Sequence, residues 1–186
     1  MRRKINILLP TVLLLIAAGT TYNEIVWKDG TQLVWEDFNH QHQNEHYAAL
    51  TASGISYSYT TKPAAYEIEV YAVFDRDESW VNTAKASDRL LVHEQLHFDI
   101  TELWTRRLRK AVQDASFLND EVLNSLYEKH LRGLSRMQAY YDDETHHSLR
   151  RKTQRNWENR VEQELALLQA YTAPIIVKER EVIAQQ

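Results

Sequence analysis

The 186-residue sequence predicts an α+β domain in which a small antiparallel sheet is followed by three helices. A change of period predicts it. Over residues 24–74 β-forming apolar residues recur at every second position, and from about residue 83 onward they recur with a period near 3.6. Strands first and helices afterwards imply an antiparallel sheet, not the parallel sheet of alternating units. The length is that of one domain, and 44% apolar with 26% charged residues excludes a wholly disordered chain.

Ahead of the sheet, Arg2-Arg3-Lys4 is a basic stretch followed by an apolar run over 5–18, broken only by Asn6, Pro10 and Thr11. The run closes on Ala17-Ala18-Gly19, so residues 1–19 read as a signal peptide and 20–186 as a single secreted or periplasmic domain. The run is shorter than the ~20 apolar residues of a spanning helix. Membrane attachment therefore follows only if the segment stays uncleaved, and the absence of cysteine excludes a lipid-modified N-terminus.

Residues 25–27 and 33–35 flank Asp29-Gly30 and predict a hairpin. Strands over 47–59 and 66–74 come next. In the second, Tyr66, Ile68, Val70, Ala72 and Phe74 alternate with Glu67, Glu69, Tyr71 and Val73, which makes it half-buried. After the polar loop Asp75-Arg76-Asp77-Glu78-Ser79, helix one is expected over 83–113. Asn119-Asp120 marks the start of helix two over 121–141, and Ala173-Pro174 ends helix three over 148–171. The tail 175–186 reads as a docked extension or a frayed end. The basic run Arg106-Arg107-Leu108-Arg109-Lys110 is expected to face solvent, and His130 to be structural.

Composition narrows the chemistry. Without cysteine there is no thiol catalysis, no thiolate-held zinc and no iron–sulfur cluster, so any metal must be held by histidine and carboxylate. Four glycines are too few for a phosphate-cradling loop. A net charge of −4 argues against a nucleic-acid partner.

The sharpest motif is His93-Glu94-Gln95-Leu96-His97, an HExxH sequence inside helix one. Residues four apart share a helix face, so both imidazoles can meet one ion at about 2.0–2.1 Å. Glu94, turned about 100° from His93, can reach a water at that ion without binding the ion itself. This is the zincin-like arrangement of a zinc hydrolase. A catalytic zinc usually takes a third protein ligand. Leu103 stands six residues after His97, which rules out metzincin spacing, and Glu102 and Asp99 lie about 140° and 160° around the helix from His97. Tyr140-Tyr141-Asp142-Asp143-Glu144-Thr145-His146-His147, on an expected turn, offers two imidazoles and three carboxylates. A second histidine cluster, His40, His42 and His46, reads as a solvated polar loop or a further metal site.

Several blocks together resemble a bacterial domain-of-unknown-function family described as predicted secreted zinc-dependent proteases. They are His93-Glu-Gln-Leu-His97-Phe-Asp-Ile-Thr-Glu102, Leu33-Val-Trp35-Glu-Asp-Phe38, Phe74-Asp75 with Ser79-Trp80-Val81, and Tyr141-Asp142-Asp-Glu-Thr145-His-His147. The resemblance spans about residues 35–157. It implies zinc ligands His93, His97 and His147, with Ser148 standing where that family has Gly.

The expected function is hydrolysis of a peptide or protein substrate at zinc, with Glu94 as general base and Tyr141 as hydrogen-bond donor to the oxyanion. Asp99 or Thr145 would orient a ligand imidazole, and the strand over 66–74 would line the cleft and pair with the substrate. Two other readings stay open: a peptidoglycan amidase or cross-link hydrolase, and a non-catalytic envelope-binding domain that keeps zinc for stability.

Overall fold

The computed structural model describes residues 2–5, 23–41 and 47–179. It is an α+β fold. Strands β1 (Arg2–Ile5), β2 (Glu24–Val26), β3 (His40–Gln41), β4 (Ala49–Leu50), β5 (Ser53–Thr61), β6 (Ala65–Asp75) and β7 (Trp80–Val81) precede helices α1 (Asp88–Asp114), α2 (Asp120–Thr145) and α3 (Arg151–Leu167). A last strand, β8 (Ile175–Glu179), returns to the sheet. Of the expected signal segment, residues 1–19, all but β1 lies outside the described residues. Among the described residues no helix is long and apolar enough to cross a membrane.

The main sheet is built on the β5–β6 hairpin, in register from Ser53↔Phe74 to Thr61↔Tyr66. Its alternation is that of the sequence: Ile55, Tyr57 and Tyr59 on β5 and Tyr66, Ile68, Val70, Ala72 and Phe74 on β6 point into the core. β1 pairs with the free side of β5, while β2 and β8 share the far edge of β6. The tail is thus docked as a strand. β6 lies in the middle, paired along both edges, and so offers no edge for a substrate strand.

The hairpin expected around Asp29-Gly30 does not form. β2 pairs with β6, and the segment at 33–35 leads into a single 3-10 turn at Trp35–Asp37. Side chains take the amides a ladder would use: Leu33 N–H donates to Gln95 Oε1 at 2.7 Å and Val34 N–H to Asp37 Oδ2 at 2.9 Å. Likewise the strand expected at 47–59 is two strands. β5 stays in the main sheet, whereas β4 joins a second small sheet in the order β3-β7-β4.

α1 and α2 each start on a polar cap, Ser87 Oγ accepting from Leu90 N–H and Asn119 Oδ1 from Val122 N–H, which satisfies an otherwise orphaned amide. α1 lies over the sheet, burying Leu96, Ile100, Leu108 and Val112 in one cluster with Ile55, Tyr57 and Val70, and Phe98 in another with Phe74 and Val81. Burial of each such side chain contributes roughly 1.5–3 kcal/mol. α2 crosses α1 closely where Trp104 lies against Gly133, a position at which a Cβ would come within 2.2 Å of the indole.

The basic run faces solvent as expected at Lys110 and in part at Arg107, but not at its other two cations. Arg106 and Arg109 are buried because Glu102 Oε1 accepts from Arg106 Nε and Arg109 Nη1, both at 2.9 Å. Arg109 also donates to the Val70 carbonyl at 2.8 Å and to those of Tyr171 and Thr172, tying α1 to β6 and to the segment before β8. His130 is structural: it is buried, with Nδ1 2.6 Å from the Leu126 carbonyl.

Candidate metal centre

His93 and His97 stand one turn apart in the middle of α1, on the side facing α2, and both are buried. Their Nε2 atoms are 3.3 Å apart. The helix expected to end at 141 runs to Thr145, which puts Asp142 in the last turn of α2 and aims its carboxylate between the two rings. Asp142 Oδ1 is 3.0 Å from His93 Nε2 and 2.9 Å from His97 Nε2. Three tetrahedral ligands about 2.0–2.1 Å from zinc would lie about 3.3–3.4 Å from one another. The donor set of two imidazoles and a carboxylate also suits zinc.

The far side of each ring is held. His93 Nδ1 lies 3.2 Å from Oε1 of Gln154 in α3, and His97 Nδ1 contacts Oε1 of Gln138 in α2. Each amide is orientated in turn: Gln154 Nε2 donates to Glu158 Oε1 at 3.0 Å, and Gln138 Nε2 to the His97 carbonyl at 2.9 Å and Thr101 Oγ1 at 3.2 Å. With an amide oxygen facing it, each Nδ1 carries the proton, and the Nε2 lone pair is left for a metal.

Electrostatics favour a cation among these groups. Burial disfavours the charged form of His97, but Asp142, Glu94 and Gln138 outweigh it and push the ring up to about 8. Burial also opposes ionisation of Asp142, yet the imidazoles of His93 and His97 hold its carboxyl well below the usual carboxylate range. A metal ion replaces a proton at such a site.

Glu94 is buried beside the histidines, and Thr51 Oγ1 donates to its Oε2 at 2.7 Å. His93, Glu94, His97 and Asp142 line a cleft of ≈ 330 Å³ together with Leu90, one turn before His93 on α1, residues of β4 and Trp80 of β7. The cleft-lining strand is therefore β4, not the 66–74 strand expected to play that part.

His147 stands at the cleft mouth, half exposed, its Nδ1 3.3 Å from Asp142 Oδ1 and its ring edge-on to Tyr47. The close group of possible ligand atoms is His93, His97 and Asp142; Asp142, one of the carboxylates left open, lies nearest the two imidazoles, and His147, to which the resemblance gave the third position, stands beside it. The turn that carries His147 has three successive left-handed residues, His146, His147 and Ser148, with φ of 49°, 48° and 74°. Ser148 thus adopts the backbone conformation that favours glycine.

Tyr141 does not face the cleft as an oxyanion donor must. Its hydroxyl is fully buried, donates to Gln154 Oε1 at 2.7 Å, and is kept protonated by burial, while its ring stacks on His93 at 4.5 Å. It supports a ligand and does not reach the reacting atoms. Neither Asp99 nor Thr145 touches a ligand ring. Asp99 accepts from Trp27 Nε1 and Gln95 Nε2, and Thr145 Oγ1 donates to the Tyr141 carbonyl. Glu144 accepts from Trp157 Nε1, and His146 lies beside Arg150 on the surface. His40 is exposed in β3, and His42 and His46 lie outside the described residues.

No family model, curated protein or solved structure matches the chain. The reading of the site therefore rests on its own geometry.

The sequence reading missed Gln138, Gln154 and Thr51. Gln138 had a usable signal, since it stands four residues before Asp142 and so shares its helix face. Gln154 and Thr51 are brought in by tertiary packing and had none.

Proposed function

We propose that the chain is an exported zinc-dependent metallopeptidase of the HExxH kind. The convergence of His93 Nε2, His97 Nε2 and Asp142 Oδ1 within 3.3 Å, with the Glu94 carboxylate alongside, carries this reading. When bound, zinc at such a centre lowers the pKa of water to about 7 and polarises a carbonyl oxygen. His93, His97 and Asp142 would hold the ion, while Gln154 and Gln138 set the tautomer and direction of the two rings. Glu94 takes the proton of the attacking water on its carboxylate and returns it to the departing amine nitrogen as the amide C–N bond breaks. Thr51 keeps that carboxylate turned toward the cleft.

β4 is the edge strand of the small sheet, and it is where an extended peptide would pair. Export is read from Arg2-Arg3-Lys4 and the apolar run behind it. Cleavage near Gly19 would remove β1 and leave β5 as the sheet edge. The test is metal content of the purified chain together with Glu94→Gln. One zinc per chain and hydrolysis lost in the variant are expected; a chain that binds no zinc, or hydrolysis that survives the change, rejects the proposal.

A further inference from the structure

We propose that the turn between α2 and α3, together with the first turns of α3, is a docking surface for an acidic polypeptide segment. On the metallopeptidase reading above, that segment belongs to the substrate, with its Asp and Glu residues about four or more positions from the bond being cut. The placement beside a cut rests on that reading; the surface itself does not.

Residues 146–157 contain Arg150, Arg151, Lys152 and Arg155 and no Asp or Glu, in a chain whose net charge is −4. All four cations are exposed, and Leu149, 65% exposed, stands at the head of the patch. Arg150 is fixed in the turn, donating to the Glu144 carbonyl at 3.3 Å and lying 3.1 Å from His146 Nε2, while the Glu144 carboxylate is taken by Trp157 and Tyr140. Among the described residues Arg151, Lys152 and Arg155 make no ion pair, whereas Arg107 and Arg160 share Glu164. At 3.6 residues per turn these three fall within about 100° of arc, on the side of α3 away from the buried Gln154, Trp157 and Val161. Local folding does not ask for such charges. α1 and α2 begin with acids, Asp88 and then Asp120 with Glu121, but α3 has no acid in its first turn and no side-chain cap. Cations at this end oppose the helix dipole. Charge kept against local preference is expected where a chain binds something.

Position and charge narrow the occupant. The patch adjoins the cleft: His147 lines the mouth, and Gln154, on the buried side of the same turns of α3, faces His93 Nδ1 at 3.2 Å. From His147 to Arg151 the chain can span at most about 14 Å, a distance that an extended peptide covers with about four residues of its own. No Lys or Arg lines the cleft. A carboxylate next to the cut therefore finds no cation, whereas one farther along the peptide reaches all four. A segment uncharged at the cut and acidic beyond it fits both surfaces. A polypeptide is favoured over an anionic bilayer, because the net charge of −4 repels a broad anionic surface while a narrow acidic segment meets only the patch.

Fluorescein-labelled octaglutamate is the probe, with binding to the full chain read by anisotropy at about 0.01 M ionic strength, where the screening length is about 30 Å. Wild type is compared with the double reversal Arg151→Glu, Lys152→Glu and with Arg132→Glu, which reverses an exposed cation on α2. Wild type and Arg132→Glu should bind alike, and the double reversal about tenfold more weakly or worse, since two attractions become two repulsions. Its melting temperature should not fall, because the new acids suit the start of a helix. Equal binding by wild type and the double reversal, or a loss shared by Arg132→Glu, overturns the proposal. So does binding to phosphatidylglycerol vesicles with none to octaglutamate, or a fall in melting temperature, which assigns the cations to folding. Hydrolysis of an unfolded protein by the zinc-loaded chain separates the surface from its placement. Cuts should be enriched in Asp and Glu about four or more residues away on one side, and the double reversal should raise KM about tenfold with kcat little changed. Cuts without that enrichment overturn the placement and leave the metallopeptidase standing. Octaglutamate binding with no hydrolysis rejects the metallopeptidase and leaves the surface as a dock for an acidic polypeptide.

Discussion

Replacing Gln154 with leucine removes one amide oxygen that serves two buried donors. Gln154 Oε1 faces His93 Nδ1 at 3.2 Å and accepts from the Tyr141 hydroxyl at 2.7 Å. Leucine is similar in size and fills the space, so the loss is mainly of hydrogen bonding. A buried donor left unpaired costs about 1–3 kcal/mol; His93 Nδ1 is left so, whereas the Tyr141 hydroxyl keeps the His93 carbonyl at 3.3 Å, which puts the metal-free chain about 1–3 kcal/mol below wild type. Zinc affinity should fall separately, because Nδ1 of His93 then has no acceptor to keep its proton and the ring loses its fixed direction. Loss of such a partner typically weakens metal binding 10–100-fold.

Tyr141→Phe is the comparison that isolates the effect. It deletes one donor to the same oxygen but keeps the ring stacked on His93, so zinc affinity should stay within about threefold of wild type and stability should fall by about 1 kcal/mol. Competition with a chromophoric chelator at fixed pH gives the affinities, and urea unfolding of the metal-free chains gives the stabilities. The reasoning about the histidine tautomer is refuted if Gln154→Leu loses stability as expected yet binds zinc as tightly as wild type. Tyr141→Phe also separates two roles for this residue. A donor to the oxyanion would cost about 10²–10³ in kcat when removed, whereas a buried support of His93 leaves kcat nearly unchanged.

Three further outcomes follow from packing and backbone geometry. Glu102→Ala leaves the buried Arg106 and Arg109 with neutral acceptors and the charge of the exposed Asp29 at Arg106, and should destabilise the fold by about 3–5 kcal/mol in urea unfolding without altering zinc stoichiometry. Gly133→Ala drives a methyl group into the indole of Trp104, an overpacking that should cost about 1–3 kcal/mol and raise the exposure of Trp104 to a fluorescence quencher. Ser148→Gly relieves the left-handed backbone at φ 74° and should raise the melting temperature by the equivalent of about 1 kcal/mol; a decrease would show that Ser148 makes a contribution that the backbone argument omits.

What was legible in the sequence depended on range. The period of two in β6 and the spacing of His93 and His97 are local regularities, and they survive folding because each needs only its own strand or helix. Asp142 was less legible. The stretch from Tyr140 to His147 has no Gly or Pro, and its polar character read as a turn, but α2 continues to Thr145 and closes on His146 in a left-handed conformation without glycine. That extra turn of helix is what aims the Asp142 carboxylate at the two imidazoles. The burial of Arg106 and Arg109 was hidden differently. Charge counting along the run ignores Glu102, four and seven residues earlier on the same helix face, which accepts from both guanidiniums, and Asp29, which brings a second negative charge to Arg106.

The centre draws on every long helix of the fold. α1 supplies His93, Glu94 and His97, α2 supplies Asp142 and Gln138, and α3 supplies Gln154. A ligand set divided in this way is not preformed in the unfolded chain, so binding free energy at the metal becomes stability of the helix assembly. Removing zinc with a chelator should therefore lower the melting temperature of wild type by more than that of Gln154→Leu, whose tie between α3 and the centre is already cut. Equal shifts in the two chains would show that α3 is held by its apolar contacts alone, through Trp157 and Val161, and that the metal acts only between α1 and α2.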